Sequence, residues 1–231
     1  MNLPIAPAQR QRLLQRLRRP AWLGTLRRTT PLSDAWGFDR GTPVDRYYIE
    51  RFLEQHRQDI CGRVLEIKDS AYTDRYGDGV RSRDVLDIDP SNRRATIIAD
   101  LTAADCIPPE QFDCFILTQT LQFIYDTRAA LTQAHRILRP GGVLLVTVPA
   151  VSRLDRRLVD YWRFTVASCS ELFGEVFGRQ QVQVQAYGNV LTAMAFLTGM
   201  AHEELSRREI ETHDQRFPVI IAVCARRPQR N

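Results

Sequence analysis

Polar residues that could bind a ligand follow four apolar segments of the chain, each where the segment ends. They are Glu66 with Lys68, Asp87, Asp100, and Thr118 with Gln119. A carboxylate after a second strand can accept hydrogen bonds from both ribose hydroxyls of a nucleoside, and one after a third strand can accept from an adenine amino group. Any one of these strand ends could simply be solvated, but four in succession predict a nucleoside-binding edge.

Alternating strands and helices would position these residues. Strands are predicted at 62–67, 83–89, 95–100, 112–118, 143–149, 181–189 and 217–227, and helices at 126–139, 168–177 and 190–211. A further helix is predicted with Thr42 as its cap, Pro43 at the first position and an end near Gln58. The segment 68–82 is too short for a full crossover helix. This order predicts an α/β, mostly parallel sheet with helices on both faces, in which the last two strands form an antiparallel pair.

Composition narrows the class of protein. The 231 residues are 44% hydrophobic and 26% charged, as in an ordinary globular domain. Five scattered cysteines with no CxxC pair disfavour a disulfide framework or a zinc site, so we expect no metal and a reducing, cytoplasmic location. No apolar run is long enough for a membrane span or a secretion signal.

The basic residues are unevenly distributed. Residues 1–33 contain seven arginines and no acid, whereas the rest of the chain has a net charge of −2. We therefore expect a basic N-terminal extension at 1–33 and one domain at 34–231. A helix at 5–19 is either a solvated surface helix or a segment that docks on an anionic membrane surface or a partner protein. No nucleic-acid-binding signature accompanies the arginines, so nucleic acid is not an expected partner.

Motifs spread along the chain resemble those of class I S-adenosylmethionine-dependent methyltransferases. FDCFILTQTLQFIYD and HRILRPGGVLLVTVP resemble the fourth- and fifth-strand segments of that family, and DIDP and IIADL its second- and third-strand motifs. The segments WGFDRGTPVDRYYI, EIKDSAYT, DYWRFT and GNVL resemble a bacterial subgroup associated with cell-surface polysaccharide synthesis. The resemblance implies a Rossmann-like, seven-stranded sheet whose last strand is antiparallel.

The resemblance also implies a cofactor, S-adenosylmethionine, and residues that bind it. Asp87 and Ile88 would meet its ribose, Asp100 and Leu101 its adenine, and Thr118, Gln119 and Leu121 the region of the sulfonium. Glu66, Ile67, Lys68, Asp69 and Ser70 would meet its methionine end. The family's glycine-rich turn is missing, because Lys68 and Ser70 stand at glycine positions. Lys68, the only lysine in the chain, either pairs with a carboxylate, points to solvent or fills the pocket.

Fewer residues are candidates for binding the methyl acceptor or for acting as a general base. His213 with Asp214 lies in a loop that could reach the site and is a candidate base, and Tyr161 and Arg163 are further catalytic candidates. Trp162 could stack on a sugar face. Arg40, Arg46 and Tyr47 lie beside a predicted helix start and are candidate substrate-binding residues. Each of these has a plain alternative, namely core packing or a solvated charge.

The sequence is compatible with three functions. The leading one is O-methylation of a saccharide or related small metabolite. The second is a non-catalytic, methyltransferase-like binding or scaffold protein in glycan assembly, favoured by Lys68 and by the lack of a convincing base. A nicotinamide-dependent dehydrogenase is disfavoured, because no GxGxxG follows the first strand.

Overall fold

A computed structural model describes residues 24–155 and 157–229 of the chain. The residues up to Pro31 and those from Leu32 form separate compact units, and the first contains a short 3-10 helix, Gly24–Leu26. The helix predicted at 5–19 lies outside the described residues. Within the described ranges, no helix combines the length and the apolar content that crossing a bilayer requires.

Seven strands of the described residues form a single sheet. They are β1 Gly62–Ile67, β2 Val80–Asp87, β3 Ile97–Ile98, β4 Phe112–Thr118, β5 Leu138–Pro149, β6 Val182–Tyr187 and β7 Ile220–Arg226. Their order is β3-β2-β1-β4-β5-β7-β6, with β1 to β5 parallel and β7 antiparallel to both β5 and β6. The predicted fold class is confirmed, including the antiparallel pair at one edge.

In the described part of the chain, six α-helices cover the sheet. They are α1 Val44–Gln55, α2 Ala71–Tyr76, α3 Thr127–Ile137, α4 Val166–Phe177, α5 Val190–Thr198 and α6 Arg207–Glu211. One apolar core joins the sheet to α3 and α4, and a second joins its other face to α1, α2, α5 and α6. The strands β1, β4, β5 and β7 are therefore covered on both sides, which explains the continuous apolar runs in β4 and β5.

Three boundary predictions were wrong for physical reasons. Thr42 does not cap α1: its backbone N–H donates to the Glu203 carboxylate, and Pro43 takes the cap position. Pro140 to Gly142 do not precede β5 but lie inside it, because β5 pairs with β4 through an irregular register near its start. The predicted helix at 190–211 is divided after Thr198, since Gly199 adopts φ +76° and ends α5.

The switch point of the sheet lies between β1 and β4. From β1 the chain proceeds to β2 on one side, and β4 and β5 follow on the other. In open α/β sheets a ligand binds beyond the carboxyl ends of the strands at this point. The crossover after β1 holds only the six residues of α2, which is the shortened crossover that the sequence indicated.

Candidate functional site

The polar strand ends predicted from the sequence do share one edge of the sheet, here called the cofactor edge. It comprises the residues that follow the carboxyl ends of β1 to β4. Glu66 on β1 pairs in register with Val85 on β2 and Ile116 on β4, so Asp87 and Thr118 end their strands beside it. A small ligand can therefore contact the ends of several strands at once.

Glu66 is buried and binds the helix that follows it. Its carboxylate accepts hydrogen bonds from the N–H groups of Tyr72 and Thr73, at 3.0 and 2.8 Å, and from the Thr73 hydroxyl at 2.7 Å. Burial raises the pKa of this carboxyl to about 7, while the Thr73 and Tyr72 hydrogen bonds act in the opposite direction. Glu66 thus holds the start of α2 against β1 and fixes the turn between them.

Lys68 adopts the conformation expected of the missing glycine. Its φ is +73°, its N–H donates to the Leu86 carbonyl at 3.0 Å, and its side chain is exposed. Within the described residues no carboxylate lies within ion-pair distance of its ammonium, and the neighbouring Asp69 lies 3.7 Å from Arg94 instead. The turn therefore has the left-handed geometry of a glycine turn, with a solvent-facing lysine on it.

Asn92 joins the ends of β1 and β2, a role that the sequence analysis missed. Its side-chain amide donates to the Lys68 carbonyl at 2.7 Å and to Asp87 Oδ2 at 2.6 Å, while Asp87 Oδ1 accepts from the Asp89 N–H at 3.0 Å. The signal was the turn sequence DPSN directly after the strand, because asparagine side chains commonly bond to nearby backbone. Asp87 is thus oriented and remains partly exposed.

The neighbourhood of Asp87 is unusually apolar for an exposed surface. Ile88 is 67% exposed, and Ile98, which pairs in register with Asp87, is 45% exposed. Asp100 caps the 3-10 helix Leu101–Ala103 through its own carboxylate, and Leu101 is buried below it. Two acids beside exposed isoleucines suit a flat heteroaromatic ring with polar edges.

The end of β4 carries the second left-handed residue of the edge. Gln119 has φ +46°, and its N–H donates to the Thr147 carbonyl of β5 at 2.8 Å. Its side-chain Nε2 is buried, and so are Gln122 Oε1 and Thr147 Oγ1; across the described residues none of these atoms has a hydrogen-bond partner. Leu121 beside them is buried. Buried unpaired amides are costly, so a bound polar ligand would relieve them.

Three exposed aromatic side chains, here called the aromatic cluster, lie next to this point. Tyr125 lies 5.9 Å from Trp162 in a stacked arrangement and 5.4 Å from Tyr161 edge-on. The cluster is tied to the end of β4, because the Tyr161 N–H donates to the Gln122 carbonyl at 2.8 Å and Trp162 Nε1 to the Ile124 carbonyl at 3.0 Å. Tyr161 and Trp162 are among the residues predicted from the sequence, whereas Tyr125 is not.

Arg163 has its hydrogen-bonding groups engaged within its own loop. It bonds both oxygens of Asp160 and donates to the carbonyls of Trp162, Ser152 and Arg153. Arg163 therefore holds together the loop that follows β5. A catalytic role for Arg163 stays a prediction that these contacts do not favour.

Of the three predicted substrate-binding residues on α1 and before it, Arg46 contacts the cofactor edge. Its Nη1 donates to the Tyr72 hydroxyl at 2.9 Å, next to the turn held by Glu66. Arg40 instead pairs with Glu204, and the Tyr47 ring packs 5.0 Å from the ring of His202. Those two residues therefore contact the segment 202–204.

The two residues predicted to act as the general base, His213 and Asp214, are not arranged for proton transfer. His213 Nδ1 accepts from the Gly188 N–H at 3.2 Å, so the neutral ring carries its proton on Nε2 and has no free acceptor. Burial lowers the pKa of His213, which keeps the ring neutral. Both oxygens of Asp214 bond to Arg216. Their catalytic role stays a prediction that these contacts weigh against.

Two open clefts lie away from the cofactor edge. One, of about 380 Å³, is lined by α1 and α6 near Tyr47, and the other, of about 420 Å³, lies at the amino ends of the parallel strands near Asp59 and Asp113. Beside the second, His56, Asp59 and Cys224 place their ligand atoms within 4.8 Å of one another, but Arg226 occupies Asp59 at 2.6 Å. Neither cleft contains a polar strand end of the cofactor edge.

Comparison with known proteins agrees with this geometry. Residues 66–146 match the family described as "Methyltransferase domain", and this range contains the strand ends of the cofactor edge. The comparison with curated proteins found no match. The matched range is shorter than half the chain, and the remaining support comes from the fold.

Solved structures share that fold at low identity. A SAM-dependent methyltransferase from Archaeoglobus fulgidus is 12% identical with a TM-score of 0.53, over 79% of this chain and 94% of that one. A Burkholderia thailandensis 1,6-didemethyltoxoflavin-N1-methyltransferase, solved with its substrate and S-adenosylhomocysteine, is 15% identical with a TM-score of 0.52, over 99% and 94%. An S-adenosylmethionine-dependent methyltransferase from Mesorhizobium loti is 14% identical with a TM-score of 0.51, over 83% and 100%.

The site fits the cofactor that these comparisons imply. The partly exposed acid at the end of β2, the glycine-like turn after β1 and Gln119 after β4 all lie at the carboxyl ends of neighbouring strands. The match to a methyltransferase domain over residues 66–146 and the fold shared with solved methyltransferases therefore point to the same strand ends.

Proposed function

We propose that this chain transfers a methyl group from S-adenosylmethionine to a hydroxyl of a saccharide or a related small metabolite. The single observation that carries the cofactor half of this proposal is the pair of left-handed, non-glycine residues at the switch point. Lys68 directly follows β1 and Gln119 directly follows β4, and their φ angles are +73° and +46°. Such a left-handed backbone conformation costs free energy in a non-glycine residue, and it clusters where the surrounding structure is organised around a ligand.

The residues of the cofactor edge have assignable roles. Asp87 would accept both ribose hydroxyls, with Ile88 and Leu101 against the adenine and Asp100 at its amino group. Thr118, Gln119 and Leu121 would surround the sulfonium. The turn from Glu66 to Ser70 would receive the methionine end, with the Arg46 guanidinium beside it for the carboxylate. When bound, the cofactor supplies the electrophilic methyl group.

The protein's own contribution is alignment and proton removal. In-line attack needs the acceptor hydroxyl held opposite the sulfur, and holding it there is a large part of catalysis. The aromatic cluster beside the end of β4 supplies apolar faces on which a sugar ring can stack. Of the residues predicted as catalytic, Tyr161 lies beside this point, so it is the strongest candidate to hold the hydroxyl.

The geometry of the turn supports an enzyme over a non-catalytic scaffold. The scaffold alternative rested on Lys68, as a side chain that could fill the pocket, and on the lack of a convincing base. Lys68 is exposed and its backbone keeps the glycine-like conformation. The lysine therefore leaves the space above the turn open. A place in cell-surface polysaccharide synthesis and a cytoplasmic location belong to this proposal and rest on the motif resemblance.

Two measurements test the proposal. Isothermal titration with S-adenosylhomocysteine should give a dissociation constant in the micromolar range, and absence of binding at millimolar ligand would reject the cofactor site. Incubation with methyl-labelled S-adenosylmethionine and matched hydroxyl and amine acceptors should label the hydroxylated sugars. Label confined to amines would reject O-methylation while leaving the cofactor site intact.

A further inference from the structure

The loop after β5 exposes three aliphatic side chains that no core absorbs. Leu154, Leu158 and Val159 are 67%, 54% and 66% exposed, and they are here called the apolar tip. Scattered exposed aliphatics are ordinary on protein surfaces. Three within six residues, next to the exposed aromatic cluster, form a patch that indicates an interaction surface.

The loop is braced internally while its apolar tip faces solvent. Arg163 ties the beginning of the loop to its end by donating to the Ser152 and Arg153 carbonyls and to Asp160. Asp155 Oδ1 accepts from the N–H of Arg157 at 2.6 Å and thereby forms a turn before Leu158. Arg163 and Asp155 thus brace the loop from within, while Leu154, Leu158 and Val159 remain exposed.

The charges next to the tip suit an anionic surface. Arg156 and Arg157 lie beside the tip in the sequence, and Arg157 is exposed, whereas Arg153 stacks on the Trp36 ring at 3.6 Å and pairs with Asp34. The loop acids are engaged, since Asp160 is bonded by Arg163 and Asp155 by backbone N–H groups. Aliphatic side chains flanked by arginine, with tyrosine and tryptophan alongside, have the composition of segments that enter the headgroup region of a bilayer.

We propose that the apolar tip docks on an anionic lipid bilayer and that the acceptor is an amphiphile presented there. The tip and the aromatic cluster belong to one loop system, and Tyr161 is bonded to Gln122 at the end of β4. A bilayer that holds the tip would therefore deliver a membrane-anchored, hydroxylated headgroup to the proposed acceptor position. The identity of the acceptor rests on the proposed function, whereas the docking itself does not.

Vesicle binding by the full chain tests the docking. Wild-type protein should co-sediment with vesicles of equal phosphatidylcholine and phosphatidylglycerol and bind pure phosphatidylcholine far less. The variant Leu154→Asn/Leu158→Asn/Val159→Asn should lose about tenfold or more in partition, because the buried apolar area is removed. A matched control, Val190→Asn/Met194→Asn/Leu197→Asn, changes three exposed apolar residues of α5 and should bind like wild type.

The outcomes separate docking from its competitors. Unchanged binding of the tip variant would overturn the inference and assign any binding to the arginines of residues 1–33, which all variants retain. An equal loss of vesicle binding in both variants would also overturn the inference, because it would indicate nonspecific hydrophobic binding. A dimer in sedimentation velocity that only the tip variant abolishes, without vesicle binding, would make the tip a self-association surface instead.

Titration with S-adenosylhomocysteine keeps the two proposals distinguishable. All three proteins should bind it equally, which also shows that the variants are folded. Vesicle binding without cofactor binding would reject the proposed function and leave the docking. Cofactor binding without vesicle binding would reject the docking alone.

Discussion

The two ends of the parallel strands differ in how their polar groups are satisfied. At the amino ends, Asp113 accepts from the Arg63 N–H at 2.7 Å, from Arg139 at 2.9 Å and from Arg81 at 3.2 Å. At the carboxyl ends of β4 and β5 and in the loops that follow, the chain leaves groups without partners. They are Gln119 Nε2, Gln122 Oε1, Thr147 Oγ1 and Arg153 Nε, the four such buried side-chain atoms in the described ranges.

The difference shows which features indicate a binding site in this fold. The amino-end edge has an open cleft of about 420 Å³ and a group of possible metal ligands, yet its charges are already paired with one another. The cofactor edge instead has buried amide atoms that lack partners within the described residues, which is unfavourable unless something binds there. Unmet hydrogen bonding therefore distinguishes the two edges.

Replacing one aspartate at each edge gives the sharpest contrast. Asp87→Ala removes the acceptor for two ribose hydroxyls, so we expect binding of S-adenosylhomocysteine to weaken about 100-fold, as two charge-assisted hydrogen bonds would imply. Asp113→Ala should leave affinity unchanged while lowering the free energy of unfolding by about 2 kcal/mol, because it unpairs several donors. Calorimetric titration and urea unfolding measure the two effects. If the two variants bind S-adenosylhomocysteine with equal affinity, the two edges do not differ in their role in binding.

The same two edges should respond oppositely to pH. Burial raises the pKa of Glu66 to about 7 from 4.5, so the folded protein binds this proton more tightly than the unfolded chain does. Stability from Glu66 is then greatest at low pH and is lost as pH rises from about 4.5 to about 7. The pKa of Asp113 is lowered: its burial acts upward, but the Arg63 N–H and the arginines outweigh it, so its stabilisation is lost as pH falls.

The Glu66 effect can be isolated with Glu66→Gln. The free energy of unfolding of wild type relative to this variant should fall by about 2 to 3 kcal/mol between pH 4.5 and 7. Urea unfolding at several pH values measures it, since all other groups cancel in the difference. A wild-type advantage that stays flat or grows with pH would mean that the hydrogen bonds from Thr73 and Tyr72 keep Glu66 ionised.

The sequence predicted strands more successfully than side-chain partners. β1 and β4 were predicted to the residue, because apolar runs between polar residues depend on local composition. The interruption of the 190–211 segment and the pairing of Arg163 with its own loop depend on tertiary contacts, such as Gly199 packing against Ser33. The cofactor edge was predictable because strand ends converge in any parallel sheet, whereas Asn92 was missed because it acts through a turn.

Asn92 tests whether the cofactor edge must be held together. Asn92→Ala removes the bridge between the Lys68 carbonyl and Asp87, so Asp87 is no longer oriented. We expect affinity for S-adenosylhomocysteine to fall about tenfold, the worth of roughly one hydrogen bond. The control is Asn189→Ala, which follows the edge strand β6, removes the cap of α5 and should lower stability but not affinity. Unchanged affinity in Asn92→Ala would show that Asp87 is positioned without the bridge.

Lys68 gives the smallest effect and separates backbone from side chain. Lys68→Gly should stabilise the protein by about 0.5 to 1 kcal/mol, because glycine adopts φ +73° without the cost that a Cβ imposes. Lys68→Ala keeps that cost and removes only the ammonium, so its stability should match wild type. A change in affinity common to both variants would place the ammonium at the methionine end of the cofactor. If only Lys68→Gly changes affinity, the turn backbone is responsible, and unchanged affinity in both returns Lys68 to the solvated residues.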